Sequence, residues 1–292
     1  NWTLAVFKAV GGANPPAWPT SAMQVLRGQA GSFDAKDLTA PTVRISSAGS
    51  PKFVLYYAGN GDPTRPDYVT QIGRATSTDG VSWTRGGTTP ALAVPAFTGT
   101  TANDTPMTAR PDAYGVTDPS VLVEGSSVIL YYAGLDCTAG SAGTCTYKIF
   151  RSVSTDGGTT FPPGEAVQLG TIPDAPGGVA GPSVISNNGL YILAYTAVKD
   201  PVAKSRIGVR QALTRGTIGI ATGTDGKNFA YAGGTAQAPT SLISRGGQAY
   251  TDGASSPSLY TSGSSLKLYF GGLQEQSGTF FNIVPADINE IK

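Results

Sequence analysis

An all-β propeller is the fold class this sequence predicts, from an internal repeat, a composition hostile to helices, and short segments separated by Gly-rich turns. The repeat occurs four times, each copy pairing an Asp-small dipeptide with a proline signature and a later Leu-aromatic-Tyr/Phe run. The Asp dipeptides are Asp34-Ala35, Asp112-Ala113, Asp174-Ala175 and Asp252-Gly253. The proline signatures are Ala40-Pro41-Thr42-Val43, Asp118-Pro119-Ser120-Val121, Gly181-Pro182-Ser183-Val184 and Ser256-Pro257-Ser258-Leu259. Self-similarity on this scale means blades or arrays. Gly (39) and Pro (21) are too frequent for a helical protein of 292 residues, because both disfavour helix interiors. The intervening Thr, Ser, Val and Tyr suit strands and tight turns.

The second copy shows the unit most fully. Strand A covers Ser120–Glu124, and Gly125-Ser126-Ser127 turns into strand B at Val128–Tyr132. A loop holding both cysteines leads to strand C, Tyr147–Ser154, and Thr155-Asp156-Gly157 turns into strand D near Phe161–Leu169. The first copy repeats this through Phe53–Tyr57, Ile72–Ser77, Thr78-Asp79-Gly80 and Trp83. The third runs through Leu190–Tyr195 to Thr224-Asp225-Gly226 and Phe229, with an extra stretch around Arg206–Gly216. The fourth supplies A (Ser258–Thr261), B (Leu266–Phe270) and C (Phe281–Ala286). Four-stranded antiparallel units repeated radially are propeller blades. A fourth strand for the last copy is expected from the N-terminal region, around Trp2-Thr3-Leu4 or Trp18–Met23. Shared N- and C-terminal segments would close the ring and hide an edge strand. The whole chain, 1–292, reads as one propeller domain.

Composition narrows the chemistry. Net charge is +1, which gives no electrostatic case for nucleic acid or an anionic membrane. No apolar run approaches membrane-spanning length. The chain contains no His, which excludes Ser-His-Asp triads and imidazole metal sites. Cys137 and Cys145 lie in one short loop, and a local disulfide is expected, with two free thiols as the alternative. Low charge, a closed cysteine pair and the lack of an initiator Met point to a secreted protein with its signal peptide removed. Asn1-Trp2-Thr3 and Asn103-Asp104-Thr105 are glycosylation triplets.

Two resemblances follow from the turns and strands. Ser154-Thr155-Asp156-Gly157-Gly158-Thr159-Thr160-Phe161 matches the Asp-box of sialidase-like propellers, and Ser77–Trp83 is a shortened form. Its physical role is a turn, since Asp accepts backbone hydrogen bonds and Gly takes positive φ. The sialidase arginine triad has no counterpart, so that activity is not adopted. The pairing of x-Pro-Ser-Val strands with Leu-Tyr-Tyr-Ala-Gly and Ser-x-Asp-Gly segments resembles the five-bladed propeller of glycoside hydrolase families 43, 62, 32 and 68. This resemblance covers the chain from about residue 34 onward and favours five blades, whereas four A strands are countable, their prolines 78, 63 and 75 residues apart.

What the resemblance implies about chemistry is an Asp-Pro base, a second Asp that tunes the acid, and a general-acid Glu in Glu-Gly-Pro. Acid–base glycoside hydrolysis needs one protonated and one ionised carboxyl group. Asp118 matches the Asp-Pro position. Ala40 stands where the base would sit in the preceding blade, and Ala180 precedes Gly181-Pro182 where the Glu would be. The expectation is a secreted, monomeric, carbohydrate-active propeller that recognises a polysaccharide or oligosaccharide, with a non-catalytic lectin or scaffold as the alternative. Asp118 and Glu275 are the candidate catalytic pair; Asp34, Asp112, Asp174, Asp252, Tyr114 and Asp136 are candidate substrate-binding residues.

The Asp that recurs before each A strand has three readings: a turn residue bonding its own backbone, a calcium ligand, or a sugar-binding or acid–base group. Calcium is thus the one cofactor under consideration, with Asp34, Asp112, Asp174 and Asp252 as its candidate ligands. Tyr57, Tyr114, Tyr132 and Trp18 either stack on sugar rings or pack between blades.

Overall fold

In the computed structural model, the described residues are 4–6, 23–46, 49–66, 68–101, 104–137, 144–170, 172, 175–203, 216–231, 253–262, 265–274 and 279–287. They form eighteen strands and no helix. β1 (Leu4–Val6) and β2 (Met23–Leu26) pair antiparallel in a two-stranded sheet. The first large sheet runs β3 (Asp37–Ile45), β4 (Phe53–Asn60), β5 (Thr70–Ser77), β6 (Thr84–Arg85). The second runs β7 (Val116–Glu124), β8 (Ser127–Asp136), β9 (Thr144–Ser154), β10 (Glu165–Ala166). The third contains β11 (Val179–Asn187) and β12 (Leu190–Val198), followed by β14 (Gly216–Gly223) and β15 (Ala230–Tyr231). The short β13 (Val202–Ala203) leaves that sheet and pairs with β9 of the second, Val202 opposite Cys145. The fourth sheet is β16 (Gly253–Ser262), β17 (Ser265–Gln274), β18 (Thr279–Asp287). Every sheet pairing is antiparallel between sequence neighbours, the exception being β13, and this is the blade meander expected from the repeats.

Two strand expectations change. Strand A begins at Val116, ahead of the expected Ser120, because the strand continues through Pro119 by a bulge between Thr117 and Ser120. Strand D of the second blade shrinks to Glu165–Ala166. Glu165 pairs there with Arg151 and Ala166 with Phe150, and Val167 N–H donates to the Ile149 carbonyl at 2.8 Å. The expected Arg206 end of the extra stretch lies outside the described residues, as do Trp18 and the 11–22 region.

The core sits between blades because strand B is apolar on both faces. On β8, Leu130 and Tyr132 join Val54, Tyr56, Ile72 and Phe161 of the first interface, while Ile129 and Tyr131 join Leu193, Tyr195 and Phe229 of the second. Alternate residues of a strand point to opposite faces, so one strand feeds two cores. The third interface uses Ile192, Ala194, Ile218, Leu259 and Leu268.

The Asp-Gly turns reach across these interfaces. Asp79, Asp156 and Asp225 accept backbone N–H bonds from their own turns. The Tyr56 hydroxyl donates to the Gly158 carbonyl at 2.6 Å, and Tyr131 donates to the Gly226 carbonyl at 2.8 Å. The turns of Asp156 and Asp225 are thereby tied to the preceding blade. Tyr131→Phe leaves the Gly226 carbonyl without this partner and is expected to cost about 1–2 kcal/mol, read as a lower urea midpoint with unchanged slope.

Candidate functional site

The inner strands β3, β7, β11 and β16 carry the proline signatures, and each has a register shift there. Proline has no N–H to give the ladder, so the pairing skips the x-Pro dipeptide. The residue before each proline is turned into the left-handed region: Ala40 at φ 47°, Asp118 at 50°, Gly181 at 57° and Ser256 at 53°. Outside Gly this conformation is strained. The conformation recurs in all four of these strands, strained in three and relaxed at Gly181, and the four x-Pro-Ser/Thr triplets line a cavity of about 210 Å³.

Hydrogen bonds between blades hold the triplets in place. Gly181 N–H donates to Asp118 Oδ2 at 3.1 Å, and Ser256 N–H donates to Thr196 Oγ1 at 3.0 Å. One layer further, Val184 N–H donates to Ser120 Oγ at 3.1 Å and Leu259 N–H to Ser183 Oγ at 2.9 Å. A hydroxyl that accepts from a backbone N–H still has its own proton to donate. Ser120 and Ser183 therefore clasp the blades and can also serve a ligand.

Asp118 is the one ionisable side chain among the described residues lining the cavity. It is half-buried, and desolvation pushes its carboxyl up to about 6, opposed in part by the Gly181 N–H and the Thr117 hydroxyl. Tyr147 on β9 faces it electrostatically, and burial and the Asp118 charge raise the phenol further above its ordinary value, so it stays neutral. Tyr147 also packs against the small cluster of Ala133, Ala180 and Val198, adjoining Gly181. The arrangement can offer a ligand several hydroxyl donors and acceptors around one carboxyl group that titrates near neutrality.

The other predicted residues have different surroundings. Asp34 is fully buried, accepts from the Tyr57 hydroxyl at 2.8 Å and from Ser32, and is ion-paired to Arg85. Asp112 accepts from the Tyr132 hydroxyl at 2.7 Å and lies 2.6 Å from Arg110 Nε. Neither lines the axial cavity. Each Asp packs on a strand-B glycine, where a Cβ on Gly59 or Gly134 would strike the Asp Cβ. Tyr57 and Tyr132 are buried with these carboxylates rather than open to a ligand.

Asp136 is buried with Lys148 Nζ at 2.7 Å. Tyr114 is buried edge-on to Phe97, the ring centroids 6.2 Å apart. Asp174, Asp252 and Glu275 lie outside the described residues. Among the described residues no group of three Cys, Asp or Glu is placed to hold a metal ion. Cys137 and Cys145 are joined as a disulfide at the mouth of the β8–β9 hairpin.

Sequence reasoning passed over Thr42, Ser120, Ser183, Ser258 and Tyr147. The signal for the first four was present, since all occupy the Ser/Thr position of the repeated proline signature. Tyr147 carries no such mark and is identified only by its packing.

Solved structures share this architecture. A β-1,2-mannobiose phosphorylase from Listeria innocua, in complex with β-1,2-mannobiose, aligns at TM-score 0.61 and 12% identity, over 94% of this chain and 64% of that one. An α-L-arabinofuranosidase from Lactobacillus brevis aligns at TM-score 0.59 and 13% identity, over 86% of this chain and 70% of that one. A thermostable family-43 glycoside hydrolase aligns at TM-score 0.57 and 15% identity, over 89% and 77%. The fold is that of the β-propeller glycoside hydrolases. No protein-family profile matches the chain, and no curated protein matches it by sequence. No helix among the described residues is long and apolar enough to cross a membrane.

Proposed function

We propose that this chain is a carbohydrate-binding propeller that takes the end of a polysaccharide or oligosaccharide into the axial cavity. The observation that carries the reading is the convergence of four x-Pro-Ser/Thr triplets around about 210 Å³ with one carboxylate among them. Clefts with a few convergent polar groups and a perturbed carboxyl group are the default ligand site. Hydrolysis by the two-carboxylate route is the weaker reading. The positions equivalent to Asp118 hold Ala40, Gly181 and Ser256, and Ala180 is fully buried against Ala133 and Val198. What favours the enzyme is the titration of Asp118 near 6, in the range of a general acid, with Glu275 as the candidate partner.

The disulfide supports an extracellular setting. We take a monomer as the working unit. We read the β1–β2 pair and the three-stranded fourth sheet as parts of a five-bladed ring closed by the N- and C-terminal segments.

A broad glycan array followed by calorimetry tests the reading. Native protein is expected to bind a defined set of glycans, and Asp118→Ala to bind them at least about tenfold more weakly. No binding across the array would overturn it. Release of reducing sugar from arabinan, xylan or fructan, lost in Asp118→Ala, would replace it with the enzyme reading.

A further inference from the structure

We infer that the axial cavity sorts sugars by charge, taking a terminal unit with a protonated amine ahead of a neutral one and disfavouring a unit with a carboxylate. The inference rests on the saccharide-binding reading and narrows its substrate class.

The charge inventory of the cavity is the first ground. None of the described residues lining it is Lys or Arg, and Asp118 alone among them ionises. The second ground is the contrast with the other buried carboxylates. Asp34 has Arg85, Asp112 has Arg110 and Asp136 has Lys148. Asp118 has neutral partners, the Gly181 N–H and the Thr117 hydroxyl. The fold provides a cation to those three carboxylates, whereas the bonds made to Asp118 leave its charge uncompensated.

Size and lining supply the third ground. At about 210 Å³ the cavity falls below the roughly 300–1,000 Å³ of drug-sized sites, so it suits one small unit. Thr42, Ser120, Ser183 and Ser258 surround that space with hydroxyl groups suited to a sugar's own hydroxyls. An ammonium on the unit would make a charge-assisted hydrogen bond to Asp118, strengthened by partial desolvation. A carboxylate there would meet like charge with no cation to offset it.

The selection carries a pH signature. The titratable group facing Asp118 from the neighbouring β9 is Tyr147, whose phenol stays neutral. The remaining triplet side chains around it are Ala, Pro, Thr, Gly and Ser, which do not titrate. Asp118 is ionised above about 6 and neutral below, so the preference for the amine is present at neutral pH and fades on acidification.

The test uses the full chain and the methyl β-glycosides of glucosamine, glucose and glucuronic acid, titrated calorimetrically at about pH 7.5 and about pH 4.5, on either side of the Asp118 titration. At the higher pH the glucosaminide is expected to bind at least about tenfold more tightly than the glucoside, and the glucuronide most weakly. At the lower pH the order should flatten. Asp118→Asn keeps an acceptor for the Gly181 N–H and should flatten it at both. Ser258→Lys, on an exposed rim residue, should reverse it, with thermal melts verifying that both variants fold. Equal binding of the three sugars by native protein at the higher pH, or an unchanged order in Asp118→Asn, overturns charge selection and leaves saccharide binding standing. Failure of native protein to bind any glycan, here and on the array, overturns both.

Discussion

Asp34→Ala is expected to destabilise the fold by about 3–5 kcal/mol, as removal of one partner of a buried ion pair does. For a chain of this size that is a fall of roughly 10 °C in melting temperature. The physical cause lies in what remains after truncation. Arg85 would lose its carboxylate and the Tyr57 hydroxyl its acceptor, where Asp34 and Tyr57 are buried and Arg85 is largely so. Asp112→Ala should behave alike, through Arg110 and Tyr132. Thermal unfolding followed by circular dichroism decides the matter. A shift below about 1 °C in both variants, with glycan binding lost, would instead make these residues ligand-binding groups.

Asp118→Asn should have the opposite sign. The carboxyl group moves from an ordinary value of 3.8 to about 6 in the fold. Between those values the folded chain holds a proton that the unfolded chain has released. Stability therefore falls as pH rises through that window, by about 2 kcal/mol once the partial exposure of Asp118 is discounted. Asn carries no charge and tolerates positive φ well. The variant is expected to be more stable than the native chain by about 2 kcal/mol at pH 7 and to lose that advantage by about pH 4. Urea midpoints at the two pH values measure the difference. A variant less stable than native at neutral pH would mean that the Asp118 charge supports the fold. A carboxylate that weakens the fold it sits in, in a strained backbone conformation, has the character of a functional group.

The fold was legible because its grammar is local. Short runs of Val, Ile, Leu and Tyr between Gly-rich turns mark strand B wherever it falls, and the Asp-Gly turns form from their own hydrogen bonds. The prolines misled at one point. Pro119 reads as the start of a strand, because proline cannot donate to a ladder, yet β7 begins three residues earlier and absorbs the proline in a bulge. Pairing on either side of the bulge outweighs one lost bond, a balance that depends on β8 being present.

The roles of the acidic residues were harder to read. Asp34 and Asp112 recur at equivalent positions, which in sequence favours a turn residue and also fits a cation or a sugar ligand. The partners that distinguish them, Arg85, Tyr57, Arg110 and Tyr132, differ in separation along the chain, with Arg85 following Asp34 and Arg110 preceding Asp112. Asp118 stood out as an Asp-Pro dipeptide, but its half-burial and its neutral partners depend on how neighbouring blades pack.

By itself, the sequence determined an all-β chain of repeated antiparallel sheets, the inner strand of each and the single carboxylate among their proline signatures. Those follow from periodicity and turn chemistry acting over a few residues. Only the tertiary structure decided that the signatures face one another around a cavity, that their hydroxyl groups tie blade to blade, and that Asp34 and Asp112 belong to buried ion pairs. The physical reason is distance along the chain: triplets 63 to 78 residues apart meet only when interblade packing brings their strands side by side.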